Sequence, residues 1–136
     1  MKNIAEKIYK EWHEFAKTRQ TENLIELYAH NAIFESPLVP IIMKKNNGIL
    51  NGRDEILEFL IEGTKRRPNE LVKWYRTDNY LVNGNTLVWE YPRETPTGNQ
   101  IDILELMDIE NDKIQHHRIY WGWFGTQMLI KSATKK

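Results

Sequence analysis

The sequence predicts a single α+β domain over residues 1–136, with three N-terminal helices packed on a curved antiparallel sheet that forms a cone-shaped half-barrel around an internal pocket. Three observations carry the helices and the antiparallel sheet of this expectation. Apolar residues up to Leu60 recur at helical spacing, and beyond Pro68 they fall in runs rich in Val, Ile, Leu, Trp and Tyr. Turn signals separate those runs so closely that neighbouring strands must form antiparallel hairpins, because parallel neighbours need crossovers of about a dozen residues or more.

Ile4, Ala5, Ile8, Tyr9, Trp12, Phe15 and Ala16 lie on one face of a first helix. Thr21 offers an N-cap oxygen and Glu22 suits the positive end of a second, short helix, which Leu24, Ile25, Leu27 and Tyr28 continue to His30-Asn31. Ala32 to Glu35 reads as a strand that Pro37 ends or pushes to an edge, since proline cannot donate to the ladder. Residues 40–48 read as a loop. Asn51 and Asp54 open a third helix in the manner of a capping box, with Ile56, Leu57, Phe59 and Leu60 on its face and Pro68 at its close. Four strand runs follow, at 70–82, 86–93, 100–110 and 113–124, divided by Asn83-Gly84, Pro96-Thr97-Gly98 and Asn111-Asp112.

A chain of 136 residues with 40% hydrophobic content can bury one substantial core. Formal net charge is zero, so the chain lacks the basic footprint that neutralises many phosphates, and no nucleic-acid partner is expected. The clusters Lys44-Lys45, Lys65-Arg66-Arg67 and Lys135-Lys136 read as solvated surface. The absence of cysteine removes disulfides, thiolate metal sites and cysteine nucleophiles. Glu6, Lys7, Lys10 and Glu11 interrupt the N-terminal segment, which does not read as a signal peptide, and no run approaches the roughly 20 apolar residues of a membrane span. A cytoplasmic protein without a membrane partner is expected. Adjacent His116 and His117 point to opposite faces of a strand, and His13 and His30 lack a second ligand at i+4, so neither a metal nor a cofactor is expected. Phosphate loops and a Gly-x-Ser-x-Gly elbow are absent, which argues against nucleotide chemistry and serine hydrolysis.

Leu27-Tyr28-Ala29 followed by Ala32-Ile33-Phe34-Glu35-Ser36-Pro37 resembles the helix-to-strand passage of ketosteroid isomerases. Lys113-Ile114 followed by Arg118-Ile119-Tyr120-Trp121 resembles the last strand of SnoaL-like proteins. Together with the order of elements, these segments make the chain similar to the nuclear transport factor 2-like superfamily from about Ile4 to Phe124. The resemblance implies a cone-shaped fold with a pocket for a small apolar or aromatic molecule, with Trp12, Tyr28, Phe34 and Ser36 around it. It also implies departures. Trp12 stands at the isomerase's oxyanion-hole tyrosine, Ser36 at its general-base aspartate, and Gly122 at the last-strand aspartate of the cyclases and epoxide hydrolases. A serine without a neighbouring base abstracts no proton at neutral pH.

Hairpins centred on Thr97-Gly98 and on Asn111-Asp112 would set Glu90, Glu105 and Arg118 in one row across three strands, with Tyr120 two residues along. A one-residue slip at either turn would destroy the row. Two carboxylates held close cannot both ionise cheaply, so one would keep its proton as a candidate acid while Arg118 holds the other charged and Tyr120 donates. The same residues also read as a structural cross-strand ion pair. The opposite face would carry Leu87, Trp89 and Tyr91, then Leu104 and Leu106, then Ile119, Trp121 and Trp123. Such side chains forfeit about 1.5–3 kcal/mol each when left in water, so a homodimer through that sheet face is expected. Two functions stay open: an acid–base enzyme of the isomerase, cyclase or hydratase kind, and a non-enzymatic ligand-binding or protein-interaction domain.

Overall fold

The computed structural model describes residues 2–66, 79–94, 100–123, 126, 127 and 130; at 2, 66, 91–94 and 100–102 only the backbone is described. In chain order the elements are α1 (Lys2–Lys17), α2 (Thr21–Ile25), β1 (Tyr28–Glu35), α3 (Val39–Met43), β2 (Ile49–Asn51), α4 (Gly52–Arg66), β3 (Leu81–Asn83), β4 (Thr86–Glu94), β5 (Gln100–Glu110) and β6 (Lys113–Trp121). The strands form one open sheet in the order β2-β1-β6-β5-β4-β3. The architecture is α+β, as expected.

The predicted face of α1 is the buried one, with Ala5, Ile8, Tyr9 and Trp12 all under a tenth exposed. A Schellman motif ends the helix: the Gln20 amide donates to Phe15 O at 2.8 Å and the Arg19 amide to Ala16 O at 3.3 Å. Arg19 sits at the left-handed position of that motif with φ 59°.

The second helix stops at Ile25, earlier than expected, because the backbone at Leu27 and Tyr28 is taken up by β6. The Ile114 amide donates to Leu27 O at 2.8 Å, and Tyr28 pairs with Ile114 in a parallel ladder. The sheet is therefore mixed; the antiparallel expectation holds for the hairpin neighbours β3 to β6 and for β1–β2. The expected loop at 40–48 contains α3, whose first turn holds Pro40, where the missing amide costs nothing. At α4 the side chain that reaches back is Glu55 rather than Asp54, accepting from the Asn51 amide at 2.9 Å. That bond, with Lys45 beside it, holds the Glu55 carboxyl below its ordinary range. Gly48 lies against the exit of β1, where a Cβ would meet Ser36 O at 2.7 Å, so the β1–β2 approach requires glycine. The segment 67–78, with Pro68 and most of the expected strand at 70–82, lies outside the described residues, as do Thr97-Gly98 and Phe124.

Register decides which side chains meet. Between β4 and β5, Glu94 pairs with Gln100, leaving an odd connection of five residues that centres on one residue instead of between two, and Trp89 rather than Glu90 lies opposite Glu105. Between β5 and β6 the Asn111-Asp112 turn has both residues left-handed, at φ 51° and 64°, the type I′ geometry expected of a two-residue hairpin. Next to it the expected register holds, with Glu110 opposite Lys113 and Ile109 opposite Ile114. A bulge at Gln115 then shifts the ladder, so that Asp108 faces His116 and Glu105 faces Ile119. The expected row of Glu90, Glu105 and Arg118 is therefore not formed.

The bulge also sorts the faces. Leu87, Trp89, Ile103, Glu105, Met107, Ile109, His117, Ile119 and Trp121 turn toward the helices, and Glu90, Leu104, Leu106, Asp108, His116, Arg118 and Tyr120 turn away. The apolar outer face expected from the sequence is thus split. Leu87, Trp89, Ile119 and Trp121 belong to the core or pack on it, Leu104 and Leu106 stay outside, and Trp123 lies beyond β6, 72% exposed.

Candidate functional site

Between the helices and the concave face of the sheet is a cavity of about 420 Å³. α1 and the turn after it contribute Trp12, Phe15, Ala16, Lys17 and Arg19; β1 contributes Tyr28 and Phe34; α4 contributes Phe59, Leu60, Gly63 and Thr64; β5 and β6 contribute Ile103, Glu105, Ile119 and Trp121. Ser36, at the end of β1, also lines it, with its hydroxyl accepting from the Leu38 amide at 3.1 Å. All four residues expected around the pocket, Trp12, Tyr28, Phe34 and Ser36, are there.

Of the four expected to carry chemistry, only Glu105 lines the cavity. Arg118 is on the outer face and contacts Asp108 at 3.3 Å. Tyr120 is outside and 52% exposed, and Glu90 is exposed on the same side. The partners of Glu105 are different ones. His117 Nε2 lies 2.5 Å from Glu105 Oε1, and His117 Nδ1 lies 2.8 Å from the Tyr28 hydroxyl, to which the Trp12 indole N–H donates at 3.4 Å. Glu105 is 2% exposed and His117 and Tyr28 are 0% exposed, so the relay is shielded from bulk water.

An ionised Glu105 and a neutral His117 are consistent with every bond in this relay. The Trp12 N–H occupies a lone pair of the Tyr28 oxygen, the Tyr28 O–H donates to His117 Nδ1, and His117 Nε2–H donates to the Glu105 carboxylate. Aromatic rings hold the imidazole in place: Phe34 meets it edge-on at 5.0 Å and Trp12 at 6.0 Å. His117 is the residue that sequence reasoning missed. Strand alternation sets His116 and His117 on opposite faces without marking the inner one, and only the bulge at Gln115 turns His117 inward. His116 points outward to Glu35 Oε2, 2.5 Å away, so the two histidines do lie on opposite faces.

Burial pushes the Tyr28 hydroxyl well above its ordinary value of 10.0, the negative charge of Glu105 adds to the rise, and the Trp12 hydrogen bond acts against them. Tyr28 is therefore a neutral donor at working pH. A linkage consequence follows. Above about pH 10 the unfolded tyrosine loses its proton while the folded one keeps it, so the folded state binds one proton more. Stability contributed by this group is fully present below the unfolded value and falls by about 1.4 kcal/mol per pH unit above it. Urea titrations between pH 9 and 11 should show this slope in the wild type and a shallower one in Tyr28→Phe; equal slopes would contradict the assignment.

The Trp121 indole nitrogen is buried and has no hydrogen-bond partner among the described residues, which leaves a donor in the cavity wall. No cluster of three or more metal-ligating side chains occurs among the described residues, and no helix there is long and apolar enough to cross a membrane.

No protein-family model matches the chain, and no curated protein matches it in sequence. Solved structures do match in fold. A SnoaL-like protein of unknown function from Burkholderia thailandensis is 15% identical, with a TM-score of 0.72 over 90% of this chain and 98% of its own. A nuclear transport factor 2-like protein of unknown function from Burkholderia pseudomallei is 13% identical, with a TM-score of 0.72 over 97% and 98%. TerC, co-crystallised with polyporic acid, is 12% identical, with a TM-score of 0.69 over 94% and 98%. With its helices, its open curved sheet and the cavity between them, the chain has the nuclear transport factor 2-like, SnoaL-like fold.

Proposed function

We propose that the chain binds a small apolar or aromatic molecule in the cavity and that Glu105 takes a proton from that molecule and returns it to another of its atoms, as in an isomerisation or cyclisation. The observation that carries this reading is the placement of Glu105, the one carboxyl group among the described lining residues, buried in an otherwise largely apolar wall and fixed by His117. His117 and Tyr28 are positioning residues: they set the carboxyl orientation and hold the imidazole tautomer. TerC, which has this fold, was co-crystallised with polyporic acid, and this supports a small-molecule ligand for the chain.

The test is a thermal-shift screen of one- and two-ring aromatic and alicyclic compounds, followed by deuterium exchange from solvent into each hit. Hits that bind Glu105→Gln as well as the wild type but exchange only with the wild type are the expected result. Binding without exchange in both proteins would favour a non-enzymatic pocket protein, and no hit at all would remove the pocket reading.

We also propose that Leu104, Leu106 and Tyr120 on the outer face pack against a second copy of the chain. Light scattering at micromolar concentration should give a dimer that Tyr120→Lys weakens, and a monodisperse wild-type monomer would remove this proposal.

A further inference from the structure

The cavity is electrically polar along its length. Its one described carboxyl group, Glu105, belongs to the relay that Trp12 joins, whereas Lys17 and Arg19 line it at the far end of α1. Lys17 lies five residues beyond Trp12, roughly 7–8 Å further along the helix axis. Neither cation has a carboxylate partner among the described residues. The Arg19 guanidinium is instead anchored by one bond, donating from Nη1 to Thr64 O at 2.7 Å across the opening to α4.

Two features show that Arg19 is not merely a solvated charge. It occupies the left-handed position of the Schellman motif, with φ 59°, where glycine is the residue most easily accommodated. A non-glycine residue held there against its backbone preference points to a use for its side chain. That side chain is also half-buried and tied to the opposite wall, so its charge is fixed at the edge of the cavity.

Resting on the pocket reading above, we propose that the ligand is an amphipathic anion: an aromatic or alicyclic body carrying a carboxylate or similar acid group. The acid group is held by Lys17 and Arg19 at the mouth, and the apolar body lies against Phe15, Phe34 and Phe59 with its reactive end toward Glu105. The reverse orientation would set two negative charges together in a buried site, which is strongly unfavourable. Arg19 presents a planar fork suited to a carboxylate, and Lys17 adds a second, mobile charge.

The matched probes are naphthalene-2-carboxylate and its neutral amide, naphthalene-2-carboxamide, titrated calorimetrically into the whole chain. The wild type should bind the carboxylate roughly tenfold more tightly, the measure of one charge-assisted hydrogen bond. Added salt should narrow that preference. The double variant Lys17→Met/Arg19→Gly should bind both probes alike, and its folding is safeguarded because glycine suits the left-handed position; its melting temperature checks this. Equal affinities in the wild type would overturn the anion inference and leave the pocket reading intact. A carboxylate preference that survives in the double variant would overturn the assignment to Lys17 and Arg19. Binding of neither probe to the wild type would overturn both readings.

Discussion

His117→Ala is expected to lower the unfolding free energy by about 3–5 kcal/mol, a large share of the 5–15 kcal/mol that holds a domain together. The imidazole is fully buried, and its removal takes from Glu105 the hydrogen bond at 2.5 Å and from the Tyr28 hydroxyl its acceptor at 2.8 Å. Both groups keep their desolvation cost when the bond is lost. The loss belongs to the broken pair and not to the value of the pair itself, so replacing both members at once should behave differently. The double variant Glu105→Leu/His117→Leu is expected to be more stable than His117→Ala, short of the wild type by the Tyr28 hydroxyl that still lacks its acceptor, with proton exchange abolished. Urea unfolding followed by tryptophan fluorescence measures all three proteins; a His117→Ala loss below about 1 kcal/mol would mean that the relay is not formed.

Insertion of one alanine between His116 and His117 is expected to abolish folding, although Gln115→Ala should cost no more than about 1 kcal/mol. The side chain makes exposed contacts to Asn31, Nε2 donating to Oδ1 at 3.1 Å and to the backbone O at 3.4 Å, so its truncation removes little. The extra backbone residue matters far more. With it alone, Ile114 and then His117, Ile119 and Trp121 face the helices; a second extra residue, inserted after His116, would turn Arg118 and Tyr120 inward. Burying Arg118 away from Asp108 while expelling Ile119 would exceed what the domain can tolerate. An insertion variant with native circular dichroism and a cooperative melt would contradict this register.

The same bulge explains how far the site was legible in the sequence. Trp12, Tyr28, Phe34 and Ser36 were placed at the cavity because helical spacing and the wording around Ala32–Pro37 depend on local patterns that the fold keeps. The turn at Asn111-Asp112 was also legible, since two left-handed residues in succession suit this dipeptide well. The row of Glu90, Glu105 and Arg118 was not, because it assumed an unbroken ladder away from each turn. An odd connection after β4 and one unpaired residue in β6 each moved the partners by one place. Neither Gln115 nor its neighbours carry the glycine that often marks a bulge, so nothing local announced it. His117 was passed over for the same reason: strand alternation shows that His116 and His117 diverge, but which of the two turns inward depends on the bulge. The parallel β1–β6 pair joins residues more than 80 apart, beyond any hairpin argument.

The central claim is that Glu105 is a cavity base whose carboxylate receives a proton-bearing Nε2 from His117, while Tyr28 donates to Nδ1. Long-range proton–nitrogen correlation spectra of the histidine side chains at neutral pH test it directly, with His117 assigned by comparison with His117→Gln. The account predicts a neutral ring with the proton on Nε2 and a bare Nδ1. A proton on Nδ1, whether alone or with both nitrogens protonated, would contradict it, because Tyr28 could then no longer donate to the imidazole and the relay would end at the ring.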